Sequence, residues 1–458
     1  MITKMNTYFE PAREIPVRAE VDVLVVGGGP AGLMAAQAAS ADGHTKVMLL
    51  DSRSFLGGNL TIGLPILGFL GPKGNQIIKG AAQRLIDRLR AKGAASDHKA
   101  CKLHMSLTII DPEEVKRTAF EMMQEAGVEV QLYTFASDAI VENGCVKGVV
   151  IESKAGRQAV FAKTVIDCTG DADVAFRAGV ECHKGDKDGG MQPPTLMFSM
   201  KGVDIPALRK AIVESPDIYD MDRMPKEQFA KGNFITVGLR RQINEAREQG
   251  LDIPVSRTIL ISGMAGDEIW VNMTRVNGTD PTDPANYTRC ERTAREQMMV
   301  VAEYLQKFVP GFDKAFIDRV APFTGIRESR VIVGKYVLTA EDILQRKAFE
   351  DTVCLAGYPI DIHHANGGDC TLTYLEDAYR IPYRCLVPAK AEGLLVAGRC
   401  ASMNHEAMAS TRVMSTCMAL GEAAGTAARL ALQKNIPVSE LPYPPLREAL
   451  LKNGALLG

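Results

Sequence analysis

The chain has 458 residues, a formal net charge of −2 and 46% hydrophobic residues, which is ordinary for a globular protein. The basic residues form no runs, so nucleic acid is not an expected partner. No apolar stretch reaches the roughly 18 residues of a membrane span, and the first eight residues lack the apolar core of a signal peptide. The ten cysteines form no C-x-x-C pair. We therefore expect no metal site and a reducing, cytoplasmic location.

The first predicted element is a buried strand at 21–26, an apolar and β-branched run. It leads into a G-x-G-x-x-G turn that continues as a helix of small residues. In this motif Gly27 permits the tight turn, Gly29 lets a pyrophosphate approach the backbone, and Gly32 lets helix and strand pack closely. The pattern predicts a dinucleotide site and leaves NAD and FAD open.

A second apolar strand, 47–50, ends in Asp51, whose carboxylate is placed to bind the hydroxyls of an adenosine ribose. Three later segments have the glycine and polar residues of a longer cofactor's binding loops. They are Leu56-Gly57-Gly58-Asn59, the strand end Thr169-Gly170-Asp171, and the strand end Gly398-Arg399 before a long helix predicted from about Thr411 to Gln433.

Between these segments the chain alternates helices and strands. Apolar spacing predicts a helix at 76–92, and Asp111 with its following proline and acids is typical of a helix start. A strand at 128–132 follows. Three short strands with turns near Asn143 and Gly156 predict an antiparallel meander.

The character of the chain changes near Gly189. The region beyond it contains polar residues predicted as helices between Lys226 and Gln249, and a strand with Trp270. We predict three parts: residues 1–190 and 331–458 form a cofactor domain, the latter with a C-terminal helix and tail. Residues 191–330 form an inserted substrate domain.

These segments resemble the FAD-dependent oxidoreductases of the glutathione-reductase-like superfamily. The chain is most similar to the bacterial branch called FAD-dependent oxidoreductase, related to fumarate reductase flavoproteins. The closer resemblance spans about 15–432 and rests on the segments 56–59, 167–173, 324–330, 358–363, 405–407 and 412–417. It implies an α/β fold: a Rossmann-type FAD domain, with a parallel sheet and a three-stranded meander, and an inserted α+β substrate domain. Fold does not fix the substrate.

The resemblance also implies FAD contacts. Ala136 is the position where the superfamily offers a backbone amide to adenine. We expect non-covalent FAD, because 57–63 holds no histidine where several fumarate reductase flavoproteins attach the cofactor. The expected cofactor-binding residues are Gly27, Gly29, Pro30, Ala31, Gly32, Asp51, Ser52, Arg53, Gly57, Gly58, Asn59, Thr61, Ala136, Thr169, Gly170, Asp171, Gly398, Arg399 and Met414.

Two segments supply the first catalytic candidates. His363 lies in a glycine-rich stretch predicted as a loop, and a pKa near neutrality would suit proton transfer. A surface histidine with a local hydrogen bond is the alternative. Arg327 and Arg330 would share one face if their segment is helical, and an arginine there can bind a carboxylate or stabilise an enolate. The alternative is an ion pair that holds the domain join together, either Arg327–Glu328 or Arg330–Asp.

His405 and Arg412 flank the predicted start of the last helix. By resemblance, that helix terminus points at the flavin pyrimidine, where its dipole stabilises the anion of reduced flavin. Arg412 would add charge, and His405 would reach either flavin or substrate.

We expect an FAD-dependent oxidoreductase that transfers a hydride between a small organic substrate and flavin N5. No second G-x-G-x-x-G marks an NAD(P)H domain, so an external electron donor or acceptor is expected. One alternative is a flavoprotein electron-transfer subunit of a larger complex, which the missing cysteine clusters disfavour. The other is a non-catalytic FAD-binding module. The sequence is also compatible with a homo-oligomer.

Overall fold

The computed structural model describes residues 8–220, 229 and 231–458. Its largest sheet has the order β6-β2-β1-β9-β8-β7, with a further strand, β21, beside the end of β9. These strands are β1 (Val17–Val26), β2 (Val47–Leu50), β6 (Glu129–Gln131), β7 (Phe135–Glu142), β8 (Cys145–Ser153), β9 (Gly156–Asp167) and β21 (Leu394–Val396).

The strands around the end of β1, which leads into the glycine turn, are parallel. β1 pairs in parallel with β2 and β9, and β21 pairs in parallel with the end of β9. The start of β9 instead pairs antiparallel with β8, which pairs antiparallel with β7. β9 therefore joins the parallel sheet to the three-stranded meander. The α/β class and both sheet types confirm the prediction.

A second sheet is antiparallel throughout, in the order β12-β13-β14-β11-β15. Its core also contains Ile62 and Leu107 from the first third of the chain. The sheet lies within 191–330, although the domain boundaries stay a prediction. Its strands are β11 (Phe198–Lys201), β12 (Ile235–Gly238), β13 (Thr258–Ser262), β14 (Ile269–Val271), which holds Trp270 as predicted, and β15 (Phe316–Val320).

Four smaller antiparallel sheets complete the strand content of the described residues. They are β3 (Ile66–Leu67) and β4 (Lys99–Cys101) on either side of β5 (Met105–Thr108), β10 (Cys182–Lys184) with β16 (Arg330–Ile332), β17 (Thr352–Ala356) with β20 (Tyr379–Pro382), and β18 (Ile360–His363) with β19 (Cys370–Thr373).

The helices pack on both sheets, and none in the described part of the chain is long and apolar enough to cross a membrane. They are α1 (Pro30–Ala39), α2 (Ala81–Ala91), α3 (Pro112–Glu125), α4 (Asp173–Arg177), α5 (Ile205–Glu214), α6 (Arg240–Glu248), α7 (Pro284–Phe308), α8 (Ala340–Leu344), α9 (His405–Thr411), α10 (Met414–Lys434) and α11 (Tyr443–Lys452).

Helix α10 lies directly against α1 because both carry small residues. A Cβ on Gly421 would sit 2.0 Å from the Ala31 carbonyl oxygen, and one on Gly425 would sit 2.1 Å from that of Ala35. Any side chain at these two positions would push the helices apart. The last third of the chain thus closes over the helix that follows the glycine turn.

Three sequence predictions need correction. The helix predicted from residue 76 begins at Ala81. The helix predicted from about Thr411 begins at Met414, because Thr411 ends α9 and Val413 adopts an extended conformation before α10. The segment with Arg327 is not helical, and Arg330 opens strand β16. The first seven residues, on which the signal-peptide argument rests, and the predicted helix start at Lys226 lie outside the described residues.

Candidate functional site

The three glycines of the first turn differ in what surrounds them. Gly27 has a φ of +102°, and a Cβ there would lie 2.5 Å from the Cys168 carbonyl oxygen. A Cβ on Gly32 would lie 1.7 Å from the Gly27 oxygen, so helix and strand touch. A Cβ on Gly29 would meet no atom within 4 Å. Packing therefore requires two of the glycines, while the third borders open space at the start of α1.

The side chain of Asp51, which follows β2, is hydrogen-bonded to this turn. Its Oδ2 accepts a hydrogen bond from Gly28 N at 2.7 Å, and Oδ1 accepts one from Arg53 N at 2.7 Å. The side chain of Arg53 lies over the Phe323 ring, 4.1 Å from its centroid. A carboxylate has about four acceptor positions, so both oxygens of Asp51 keep one more. The ribose contact of Asp51 stays a prediction, as do those of Ser52 and Arg53.

The second glycine pair packs against the first turn. Gly57 N donates to Gly28 O at 2.8 Å, and a Cβ on Gly58 would lie 2.8 Å from the Cα of Gly29. Asn59 and Thr61 belong to the 3-10 turn Gly58–Thr61, which the Thr61 hydroxyl closes onto Gly58 O at 2.7 Å. These residues lie together as the sequence predicted.

The other predicted cofactor segments also meet. Arg399 Nη2 lies 2.8 Å from Asp171 Oδ1, and Arg399 Nη1 donates to Ser329 Oγ at 2.7 Å. Gly398 approaches α1, since its Cβ would lie 3.1 Å from that of Ala31. The ion pair therefore ties the strand end with Thr169 and Gly170 to the Gly398 segment. Ala136 lies on β7 opposite Ile151, and its adenine contact stays a prediction.

A cavity opens between these segments and the second sheet. Its empty volume, counted together with the open mouth, is about 1090 Å³. Asn59, Arg399 and Met414 line one side. Of the catalytic candidates, Arg327, His363 and Arg412 line it, whereas His405 and Arg330 do not.

The carboxylate of Asp361 is the centre of the polar end of the cavity. Its Oδ2 accepts a hydrogen bond from Tyr358 Oη at 2.9 Å and lies 3.3 Å from His363 Nε2 and 3.7 Å from Arg412 Nη2. Burial would raise the pKa of Asp361, but His363 and Arg412 outweigh burial and hold that pKa far below its usual range. Asp361 is therefore ionised at neutral pH.

His363 differs from its prediction in two respects. It lies at the end of strand β18 rather than in a loop. Burial and the charge of Arg327 lower the pKa of His363 to about 3, so a pKa near neutrality is wrong. Arg275 Nη1 lies 3.4 Å from His363 Nδ1. Because arginine only donates, Nδ1 is the acceptor and Nε2 carries the hydrogen toward Asp361.

Arg327 holds its guanidinium without a carboxylate partner. Its Nη1 donates to Thr195 Oγ1 at 2.6 Å and to Pro193 O. Among the described residues, no acid lies within ion-pair distance of it, so the predicted Arg327–Glu328 alternative is wrong. Burial and the charge of Arg412 lower the pKa of Arg327 to about 9.

Arg330 instead has the structural role that the sequence offered as its alternative. Its guanidinium pairs with Asp173 and donates to Asp171 O at 2.8 Å. Since the segment is extended, Arg330 and Arg327 do not share a helix face.

His405 also has a structural partner. Its Nδ1 lies 2.7 Å from Glu328 Oε1, and Glu328 Oε2 accepts from Gln192 N at 2.9 Å. Burial would lower the pKa of His405, but Glu328 outweighs it and raises that pKa. His405 does not line the cavity, and its expected contact with flavin or substrate stays a prediction.

We expect the His405–Glu328 pair to stabilise the fold in a pH-dependent manner. The raised folded-state pKa means that its contribution is complete below about pH 6.5, the usual histidine pKa, and is lost as pH rises through the folded value. His405→Gln keeps a hydrogen-bond donor and loses the positive charge. The free energy of unfolding should therefore fall by about 1.5–3 kcal/mol at low pH, and by progressively less as the pH rises. Thermal unfolding across pH measures this, with exposed His44→Gln as the control. A pH-independent difference would contradict it.

The sequence analysis missed several residues of the cavity. Asp361 was detectable, because it is two residues before His363 on one strand and so shares its face. His104 had no sequence signal, and neither did Gln192, which contacts His363 and Arg412 from outside the lining. Three lining residues hold a buried polar atom without a partner: Asp361 Oδ1, Arg412 Nε and His104 Nδ1.

Comparison with known proteins decides the family. Residues 22–450 match the model of the family described as FAD dependent oxidoreductase. The chain belongs to this family. It is therefore an FAD-dependent oxidoreductase, and FAD is its cofactor.

Named relatives match only part of this oxidoreductase. The thiamine thiazole synthase of Aeropyrum pernix is 32% identical over 219 residues, which are 44% of this chain and 76% of the relative. The digeranylgeranylglycerophospholipid reductase of Methanosphaerula palustris is 29% identical over 160 residues, 34% of this chain and 39% of the relative. A geranylgeranyl bacteriochlorophyll reductase-like structure from Thermoplasma acidophilum has a TM-score of 0.45 at 14% identity, covering 96% and 84% of the two chains.

The glycine turn fits the diphosphate of FAD. The space beside Gly29 is free of protein atoms, and no side chain caps the first N–H groups of α1. Such a helix start binds phosphate through its N–H groups and its dipole. Near the cavity, Val413 begins α10 without a side-chain cap, and both Val413 and Met414 line the cavity. This second helix start therefore also has donors for an electron-rich group.

Proposed function

We propose that this oxidoreductase transfers a hydride between a small organic anion and N5 of bound FAD. FAD, when bound, supplies the two-electron donor or acceptor. The observation that carries the proposal is the unpaired guanidinium of Arg327 on the cavity wall. We infer that FAD is held non-covalently and that the chain works in the cytoplasm, where its ten free cysteines would stay reduced.

The charge of the cavity wall favours an anion. Arg327, Arg412 and Arg257 line it, and Asp361 is the one acid among its described lining residues. Arg399 is already neutralised by Asp171. A substrate carboxylate would accept hydrogen bonds from Arg327 and offset its charge. The same guanidinium would stabilise negative charge that develops on the substrate.

His363 is placed to hold a proton next to this anion. The single lone pair of its Nδ1 has a long hydrogen bond from Arg275, 3.4 Å, and would give up that bond to take a proton. Arg327 is the largest nearby charge that lowers the pKa of His363. An anion on Arg327 would offset that charge and raise the pKa of His363, and Asp361 would then stabilise the imidazolium. In this proposal substrate binding prepares His363 for proton transfer.

Anaerobic reduction of the purified holoenzyme tests the proposal. Small organic acids should bleach the flavin absorbance, or reoxidise the reduced flavin, whereas the corresponding primary amides should not. The amides match the acids in size and lack the charge that Arg327 would bind. Equal reaction with acids and amides would contradict the anionic substrate. Reduction by a ferredoxin-type protein alone would favour the electron-transfer alternative.

A further inference from the structure

The second sheet gives the cavity an aliphatic wall. Ile235 pairs with Ile261, and Val237 pairs with Ile259, across β12 and β13. Because alternate residues of a strand share a face, the four side chains lie on one side of the sheet, and all four line the cavity. Leu260, between two of them, is buried and is not part of the lining.

Aliphatic residues from other segments extend this wall. They are Ile62, Leu64, Leu67, Leu103, Met197, Leu372 and Val413. The charged lining groups instead belong to the polar end and to the Arg399–Asp171 pair. Arg412 lies 3.7 Å from Asp361, and the guanidinium of Arg257 contacts the Cys370 side chain, which lies opposite His363. Arg257 precedes β13 and marks where its aliphatic face meets the polar end; the cavity-facing residues within β12 and β13 are all aliphatic. The cavity is therefore amphipathic.

We propose that the substrate is a monoanionic acid with an apolar carbon body. Its carboxylate would bind Arg327, and its hydrocarbon part would lie on the wall of β12 and β13. A second carboxylate on that body would lose its hydration against aliphatic side chains and gain no partner there. Dicarboxylates and hydroxylated acids are thus disfavoured. This inference rests on the proposed function, since it takes the anion site at Arg327 as given.

Calorimetric titration of the oxidised holoenzyme with butanoate, hexanoate and octanoate tests the inference. Each added methylene should tighten binding about fourfold, the factor that corresponds to roughly 0.8 kcal/mol per buried methylene. Adipate, which matches hexanoate in length and adds a carboxylate, should bind about tenfold more weakly or worse. Equal affinities along the series, or adipate as tight as hexanoate, would overturn the inference.

A matched pair of variants locates the effect. Ile259→Thr makes the wall polar and keeps a β-branched residue in its strand, and Ile259 is only partly buried. This variant should weaken the binding of octanoate several-fold more than the binding of butanoate. Ile317→Thr makes the same change in β15, away from the cavity lining, and should leave both affinities unchanged. Equal losses in the two variants would overturn the placement of the carbon body.

The titrations also separate this inference from the proposed function. If the acids bind, and bind no more tightly as their chains lengthen, only the apolar body is wrong. If no acid binds better than its primary amide, the anion site itself is wrong.

Discussion

Gly29→Val is expected to yield a folded protein without flavin. The conformation at Gly29, with φ −78° and ψ −167°, is extended and open to valine. A Cβ there meets no protein atom within 4 Å, so the fold leaves open space where the side chain would begin. The same space is where the cofactor diphosphate would approach the start of α1. We expect visible flavin absorbance to disappear while circular dichroism stays like that of the wild type.

Two other glycines serve as comparisons for this result. Gly266 lies in a loop with an equally empty surrounding, and Gly266→Val should keep its FAD. Gly32→Ala should lower the thermal midpoint itself, because its Cβ would lie 1.7 Å from a backbone oxygen. A yellow Gly29→Val protein with a full complement of FAD would show that the diphosphate lies elsewhere.

Arg327→Met and His363→Ala are expected to fail in different ways. Removing one partner of a desolvated charge pair costs about 2–5 kcal/mol, so Arg327→Met should weaken substrate binding by roughly 30-fold or more. His363→Ala should slow flavin reduction by about 10²–10⁴-fold with a smaller effect on affinity. Both should retain the spectrum of bound flavin. Anaerobic stopped-flow reduction over a range of substrate concentrations separates affinity from rate.

The neighbouring His364 provides the control. It is exposed, its ring bonds Thr371 at 2.9 Å, and it does not line the cavity. His364→Ala should therefore react like the wild type. If Arg327→Met and His363→Ala also react like the wild type, the substrate site has to be sought around Arg412 instead.

Local patterns predicted the cofactor part of the fold well. The strand, glycine turn and helix from Val21 onward, the acid at Asp51 and the helix start at Asp111 follow from residues close in sequence. The order of the second sheet could not be predicted, because its strand pairs join distant residues. The break before α10 was missed for a related reason. Residues 407–414 contain no glycine or proline that would mark a helix end, and the extended backbone of Val413 depends on tertiary packing.

The sequence predicted which residues meet at the candidate site better than it predicted their protonation and their hydrogen-bond partners. Arg327, His363 and Arg412 do meet at one cavity. The low pKa of His363 depends on Arg327 and on burial, and its tautomer depends on Arg275. These partners are distant in sequence, so no local pattern contains that information. The pair of His405 with Glu328 was not predicted, because its buried partner comes from a remote segment.

The contact between α1 and α10 has a consequence for synthesis. The glycine turn emerges early from the ribosome, but β21 and α10 complete its surroundings only when residues up to Lys434 have been made. The five-stranded sheet needs only strands between Phe198 and Val320. It can therefore fold while the FAD domain is still open. Capture of the cofactor is accordingly a late step in synthesis. A nascent chain released before Leu394 would contain the glycine turn without β21 and α10, which complete its surroundings.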